Sequence, residues 1–390
     1  VEMATRGPKK RGSRKTPYDK AGGTSGKSKA KASATIKLKG SRDMRYRLLC
    51  ATLADKPLVI SDIRAEAESP GICDYEAAFL KMLDLVSAGC SISINETGTK
   101  LRYKPGVIEG GTDLKHDCPP SRGIGYYLEP LLILGLFAKN PIEITFTGVT
   151  DSPTDISVDT LRNVTTHVIQ KFGVEGKIDI QATFRGVKPK GGGKVSVRIP
   201  VVKKLKPISL LEPGKVKRFR GVAYVCRCSP QFTNRMVTSA RAILNRFIPD
   251  TYVHTDHCKG KAGGFSSGFG ISLTAESING IILGAQTVPV GSGLPEDAGR
   301  RCAKLLCEQI AQGGCVDSMH QPLAVMLMVL SPEDVTRLRI GKLTKTTIGV
   351  LRLVQQFFGV TFMIKPDEET KTVMLSCVGA GYQNFSRRHA

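Results

Sequence analysis

The chain has 390 residues, of which 41% are apolar, and its 57 Lys and Arg against 34 Asp and Glu give a net charge of +23. The longest apolar runs, such as 131–138, are far shorter than the roughly 18 residues that cross a bilayer, so we expect neither a membrane protein nor an exported one. The odd number of cysteines, eleven at irregular spacings, indicates reduced thiols in the cytosol or nucleus.

The positive charge is spread over the whole chain. The first 40 residues contain twelve Lys and Arg against two acidic residues, and the other 350 still carry +13. Residues 1–32 have almost no apolar side chains, so we predict a basic tail that forms no packed unit. A folded body that is also basic favours a polyanionic partner, most commonly nucleic acid. The alternative is a basic surface that serves only solubility.

After the tail, the hydrophobic pattern predicts one unit of helix, strand, helix, strand and strand, which returns 84 residues later. In the first copy the elements are a helix at 44–54, a strand at 58–60, a helix ending before Gly89, and strands at 92–94 and 100–104. In the second they are a helix at 126–138, a strand at 142–146, a helix ending before Gly173, and strands at 178–180 and 194–199. Pro57 and Pro141 keep the same offset.

A third copy follows near the end of the chain. Its elements are a helix at 323–330, a helix ending before Gly359, and strands at 361–364 and 372–377. Pro332 comes 191 residues after Pro141, about 107 more than the first offset, so we predict an insertion. The predicted fold class is α/β, with three repeats of a two-helix, four-strand unit around a shared core and a smaller inserted α/β domain. The alternative is generic α/β patterning that imitates a repeat.

The predicted inserted domain covers 205–288, which leaves a body of 33–204 and 289–390. Within it we predict a strand at 219–226, a helix at 231–247, a strand at 251–254 and a hairpin. The hairpin turn is Asn279-Gly280, because Asn-Gly between alternating strands is a strong hairpin signal.

The inserted domain also contains a group of possible metal ligands: Cys226, Cys228, His254, His257 and Cys258. Alternate strand residues share a face, so the first two cysteines fit one metal ion. Structural zinc usually has a two-residue gap within each pair of cysteines, however, which favours buried thiols and surface histidines. We expect no metal site.

A glycine-rich string at 185–195 has the composition of a phosphate-binding loop. Its predicted RNA or phosphate ligands are Arg185, Lys188, Lys190, Gly191, Gly192, Gly193 and Lys194. Glycines let backbone N–H groups approach a phosphate closely, and the basic side chains supply charge. The alternative is a flexible connection between two strands.

The whole string resembles the signature of the RNA 3′-terminal phosphate cyclase superfamily, and the resemblance covers roughly residues 35–385. It implies the three-repeat architecture with an inserted domain. Cyclases of this family transfer AMP from ATP to a histidine and then to an RNA 3′-phosphate, which the neighbouring 2′-OH attacks. That histidine stands in a His-Leu-Ala-Asp-Gln-like string, and the matching stretch here is 317–321, Asp-Ser-Met-His-Gln.

Two departures from the family pattern imply that cyclase chemistry and its nucleotide cofactor are lost. Asp317 occupies the position of the nucleophile when Gln321 is aligned, and a carboxylate forms no comparably stable phosphoramidate. His320 lies nearby at the family's acidic position. The early Glu-Gly-Gly-Gly-Gln-like string is replaced by a basic stretch at 39–44.

Both departures, and the stretches at 95–99, 103–106 and 314–318, are similar to the eukaryotic, nucleolar, non-catalytic branch of the superfamily. This resemblance implies a nuclear, nucleolar ribosome biogenesis factor of the small-subunit processome. The implied partners are pre-ribosomal RNA, a processome GTPase, a small nucleolar ribonucleoprotein and other processome proteins. Three alternatives stay open: a pre-rRNA endonuclease, an active cyclase using His320, and a protein scaffold without RNA contact.

Overall fold

The computed structural model describes residues 34–291 and 293–386, so the predicted tail at 1–32 lies outside the described residues. The first part of the described chain contains β1 (Ile36–Lys39), α1 (Met44–Leu53), β2 (Leu58–Ser61), α2 (Asp74–Val86), β3 (Ser87–Ala88), β4 (Ser91–Ile94), β5 (Leu101–Lys104) and β6 (Val107–Ile108). The second contains β7 (Gly111–Asp117), α3 (Gly125–Leu136), β8 (Ile142–Gly148), α4 (Val158–Thr160), a π-helical turn (Leu161–Thr165), α5 (Thr166–Lys171), β9 (Asp179–Phe184) and β10 (Gly193–Ile199).

The remaining elements follow a short strand, β11. They are β11 (Ser209–Leu210), β12 (Val216–Cys226), α6 (Gln231–Leu244), β13 (Thr251–Cys258), a 3₁₀ turn (Gly260–Gly263), β14 (Gly268–Ser277), β15 (Ile282–Thr287), α7 (Pro295–Ala311), α8 (Gln321–Val329), β16 (Val335–Ile340), α9 (Lys345–Phe358), β17 (Met363–Asp367) and β18 (Thr372–Val378).

The strands form four sheets of four strands, and β3 pairs separately with β6. In spatial order the sheets are β1-β2-β5-β4, β7-β8-β10-β9, β11-β16-β18-β17 and β13-β12-β14-β15. Each sheet starts with a parallel pair and continues with antiparallel neighbours. In β10, Val195, Val197 and Ile199 alternate with less buried residues, as expected when one face of a strand packs on a core. The predicted α/β class is confirmed.

Three helices lie at the centre of the larger core. All residues of α3 and α8 are buried, which is the pattern of a helix that is surrounded by protein on every side. Helix α1 joins them: the Tyr46 hydroxyl donates to the Glu129 carboxylate at 3.0 Å, and the Cys50 thiol lies 3.8 Å from the Met326 sulfur. The segment 317–321 therefore leads directly into a helix of this core.

A second core lies under the fourth sheet, between it and helices α6 and α7. Ala240 of α6, Leu273 of β14 and Cys302 of α7 belong to it. The packing differs from the predicted insertion of 205–288 at both ends. The two-residue strand β11 pairs with β16 in the third sheet, and α7, beyond residue 288, packs on the fourth sheet. A strand of two residues is too short to show a periodicity, and the packing of α7 on the fourth sheet is a tertiary contact that a local sequence pattern does not show.

None of the helices in the described ranges is both long and apolar enough to cross a membrane.

Candidate functional site

Arg185, the first residue of the glycine-rich string, is buried among three aspartates. Its guanidinium nitrogens lie 3.3 Å from Asp151, 2.7 Å from Asp159 and 2.7 Å from Asp256, measured to carboxylate oxygens. Its central carbon is 4.5 Å from the centre of the Tyr224 ring. Arg185, predicted as a phosphate ligand, is thus a buried cation that pairs with carboxylates of the protein itself. The sequence pattern could not reveal this, because the aspartates are distant along the chain.

Burial and charge act in opposite directions on this cluster. Burial raises the pKa of Asp151 to about 6 although the Arg185 charge opposes the rise. Burial alone would lower the pKa of Arg185, but the carboxylates of Asp159 and Asp151 hold it well above its ordinary value. The arginine therefore stays charged, and its charge compensates carboxylates that water does not reach.

The glycines of the string allow two stretches of backbone to pack closely. A Cβ atom at Gly186 would lie 2.2 Å from the Gly193 amide nitrogen and 2.5 Å from the Gly148 carbonyl oxygen. Gly192 has φ +88°, and a Cβ atom there would lie 2.6 Å from the Phe265 ring. Both positions require glycine for steric reasons alone.

Three lysines of the string lie nearer the solvent than Arg185. Lys190 and Lys194 are exposed, and the half-buried Lys188 donates from its ammonium to the Ser121 carbonyl at 2.7 Å. Around them, Gly191 donates its N–H to the Val187 carbonyl at 3.0 Å. The loop thus presents lysines, but its glycines are accounted for by packing.

We expect the lysines of this loop to contact RNA phosphates through their charge alone, without recognising the bases. Replacing Lys188 and Lys190 by Ala should make the log–log salt slope of RNA binding shallower by about 1–1.5, at roughly 0.7 per contact on single strands, and equally for unrelated RNAs. The measurement is a salt titration with two RNAs of different sequence. Replacing Lys365 and Lys371, two exposed lysines of the last hairpin, is the matched control. An unchanged slope in the loop variant would remove the loop from the RNA surface.

Asp317 and His320, which the sequence resemblance aligns with the cyclase motif, are buried and hydrogen-bonded to other protein groups. Asp317 accepts hydrogen bonds from the N–H groups of Gly284 (2.9 Å), Met319 (3.0 Å) and His320 (3.1 Å). The His320 ring nitrogen Nδ1 lies 2.7 Å from Asp317 Oδ1, and Nε2 lies 2.7 Å from the Thr165 hydroxyl. Neither ring nitrogen is free to attack a phosphorus atom.

Gln321 is also held by protein groups. Its amide nitrogen donates to the Lys342 carbonyl at 3.0 Å, and its oxygen accepts from the Thr347 hydroxyl at 2.9 Å and the Thr344 N–H at 3.2 Å. These bonds tie the start of α8 to the start of α9. Gln321 therefore has a structural role in joining the two helices.

A cavity of about 660 Å³ lies beside this segment, within the size range of ligand pockets. Ser318 and Met319 line it, whereas Asp317 and His320 are buried and do not line it. Arg301 adds positive charge to the wall, whereas Arg45 is paired with the buried Glu129 at 2.8 Å, and Asp155 adds a carboxylate. The stretch 317–321 thus borders a cavity, but no histidine is among the residues that line it.

The cysteine and histidine group of the fourth sheet is not gathered around one point. Cys226 and Cys258 are register partners on β12 and β13 and are buried, while His254 is exposed. His257 contacts the Thr233 hydroxyl through Nε2 at 2.7 Å. Within the described ranges, no three or more His, Cys, Asp or Glu side chains are arranged to hold a metal ion.

Comparison with known proteins gives long matches. A family model described as RNA 3′-terminal phosphate cyclase matches residues 36–364. An RNA 3′-terminal phosphate cyclase-like protein from Homo sapiens is 48% identical over 360 residues, which cover 89% of this chain and 96% of that protein. A probable protein of the same name from Dictyostelium discoideum is 44% identical over 367 residues, covering 90% and 99%. The rRNA processing protein rcl1 of Schizosaccharomyces pombe is 43% identical over 356 residues, covering 90% and 98%. The region matched by the family model includes all of the second core and most of the larger one.

Proposed function

Because the chain belongs to the RNA 3′-terminal phosphate cyclase family, we propose that it acts in rRNA processing as an RNA-binding member that has lost the cyclase reaction. The observation that carries the loss is the state of His320, whose two ring nitrogens are both occupied in a fully buried position. The name of the fission yeast relative, an rRNA processing protein, supports the process.

The assembly, location and partners that we propose follow from the family resemblance. They are membership of the small-subunit processome, a nucleolar location, and partnership with pre-ribosomal RNA, a processome GTPase and a small nucleolar ribonucleoprotein. The net charge of +23 supports a polyanionic partner. The rRNA-processing relative supports a site of action in the nucleus, since rRNA is transcribed and first processed there.

We also propose that the first three sheets are repeats of one unit. Their common strand order and their common sequence of one parallel and two antiparallel pairings support this. The inserted domain would then comprise the fourth sheet with α6 and α7, about 216–311, placed between the first strand of the third unit, β11, and its first helix, α8.

The absence of cyclase chemistry is tested with ATP labelled at the α-phosphate. The full chain should acquire no acid-labile label, because His320 is blocked by Asp317 and Thr165. A cyclase that retains its histidine serves as the positive control. An ATP-dependent label that disappears in His320→Ala would overturn the proposal. Asp317→His should not restore labelling, because the family's early glutamate is also missing from the stretch 39–44.

A further inference from the structure

A groove that contains no residue of the glycine-rich string lies between the start of α1 and one face of α9. Its volume is about 540 Å³, and four basic side chains line it: Arg42, Arg47, Lys345 and Arg352. Residues 345, 348, 352 and 356 of α9 line it at helical spacing, so they share one face of the helix. We call this the α1–α9 groove.

The positive charge of the α1–α9 groove is poorly compensated. Within residues 34–291 and 293–386, none of its four cations forms an ion pair with a carboxylate. Arg47 donates instead to the backbone carbonyls of Lys39 (3.0 Å) and Gly40 (2.7 Å). Burial lowers the pKa of Arg47, and the like charge of Arg42 adds to this effect against the opposing charge of Asp43.

Asp43 is the one carboxylate among the lining residues described, and it lies at the start of α1. Burial raises its pKa although the charges of Arg47, Arg42 and Arg45 act against the rise. Its carboxylate is wedged against α9, since a Cβ atom on Gly349 would lie 2.6 Å from Asp43 Oδ2. One partly buried carboxylate facing several cations leaves a net positive site, which an added anion would stabilise.

The geometry of the groove suits phosphate. Arginine presents a planar fork of donors that matches phosphate oxygens, and Arg42 and Arg352 are exposed with their guanidinium groups unengaged by described carboxylates. Helix α9 has 14 residues, and its first two residues line the groove. The positive end of its helix dipole therefore adds to the positive electrostatic potential of the groove. Thr346 lines both this groove and the cavity beside residues 317–321, so the two recesses adjoin.

We propose that the α1–α9 groove binds the phosphodiester backbone of single-stranded RNA, with Arg42 and Arg352 as the phosphate ligands. The proposal rests on the RNA-binding function proposed above and names a site for it. The groove should bind RNAs of different sequence equally, because its cationic side chains contact phosphates and not base edges.

The test uses the full chain and two labelled single-stranded RNAs of unrelated sequence, with anisotropy measured over a range of salt concentrations. The Arg42→Ala, Arg352→Ala double variant should bind both RNAs more weakly and make the log–log salt slope shallower by about 1.4, at roughly 0.7 per contact. The matched control removes two exposed arginines elsewhere, Arg102→Ala with Arg246→Ala, and should keep the wild-type slope. The thermal transition of each variant is measured first, so that misfolded protein is not scored.

The outcomes separate this proposal from the function on which it rests. If the wild type binds RNA with salt-sensitive affinity and the groove variant keeps the same slope, the groove proposal is wrong and the RNA-binding function stands. If the wild type has no measurable affinity for RNA, both are wrong. Competition by polyglutamate as strong as competition by RNA of equal charge would identify an acidic protein segment as the occupant and would also overturn the proposal.

Discussion

Replacing Arg185 by Met is expected to lower the free energy of unfolding by about 3–5 kcal/mol, the usual result of removing one partner of a buried ion pair. The side chains of Asp151 and Asp159 are both 2% exposed, so water cannot take the place of the lost guanidinium. The substitution keeps most of the side-chain volume, which isolates the electrostatic loss from cavity formation. The measurement is urea denaturation of wild type and variant under identical conditions.

Two further variants distinguish this explanation from a general packing defect. Adding Asp151→Asn to Arg185→Met should recover part of the lost stability, because it removes one of the carboxylates left without a counter-charge. Lys190→Met, in the same loop but exposed, should change stability by no more than about 0.5 kcal/mol. A loss for Arg185→Met as small as that of Lys190→Met would contradict the internal role, and would return Arg185 to the candidates for an RNA ligand.

Arg185 differs from the lysines of its loop in a way that the local sequence does not predict. A basic residue beside a glycine run has the same local pattern whether it faces solvent or the interior. The partners that settle the question, Asp151 and Asp256, are 34 and 71 residues away along the chain. The acidic residues at 151–159, after β8, show no apolar periodicity that would predict their burial.

Local patterns predicted the elements that build the frame of the site. The helix expected at 323–330 is α8 at Gln321–Val329, and the turn expected at Asn279-Gly280 joins β14 and β15 with Gly280 at φ +69°. Both have strong local signals: an uninterrupted apolar run, and a dipeptide that favours a tight turn. The α1–α9 groove was not predicted, because Arg42 and Arg352 are brought together only by the packing of α1 against α9.

Asp317→Ala is expected to be the other strongly destabilising change, with a loss of about 3–5 kcal/mol. Asp317 accepts from the backbone N–H groups of Gly284 and His320 in the interior and pairs with the His320 ring. Alanine removes every one of these acceptors and leaves buried donors without partners. The neighbouring Ser318→Ala is the matched control and should be nearly neutral, because Ser318 is only partly buried and lines the cavity. Urea denaturation compares the two, and similar small losses would contradict the structural role of Asp317.

The pH dependence of the conservative variant Asp317→Asn tests the charge of this pair directly. Burial alone would lower the pKa of His320, but the charge and the hydrogen bond of Asp317 outweigh it and raise the pKa above the ordinary 6.5. The folded state therefore holds the His320 proton more tightly than the unfolded state does. The stability this contributes is complete below pH 6.5 and is lost as the pH rises through the folded-state pKa. The stability difference between wild type and Asp317→Asn should therefore be larger at pH 6 than at pH 9. A difference that stays flat or grows over this range would mean that the wild-type pair carries no extra proton, and that Asp317 acts only as a hydrogen-bond acceptor.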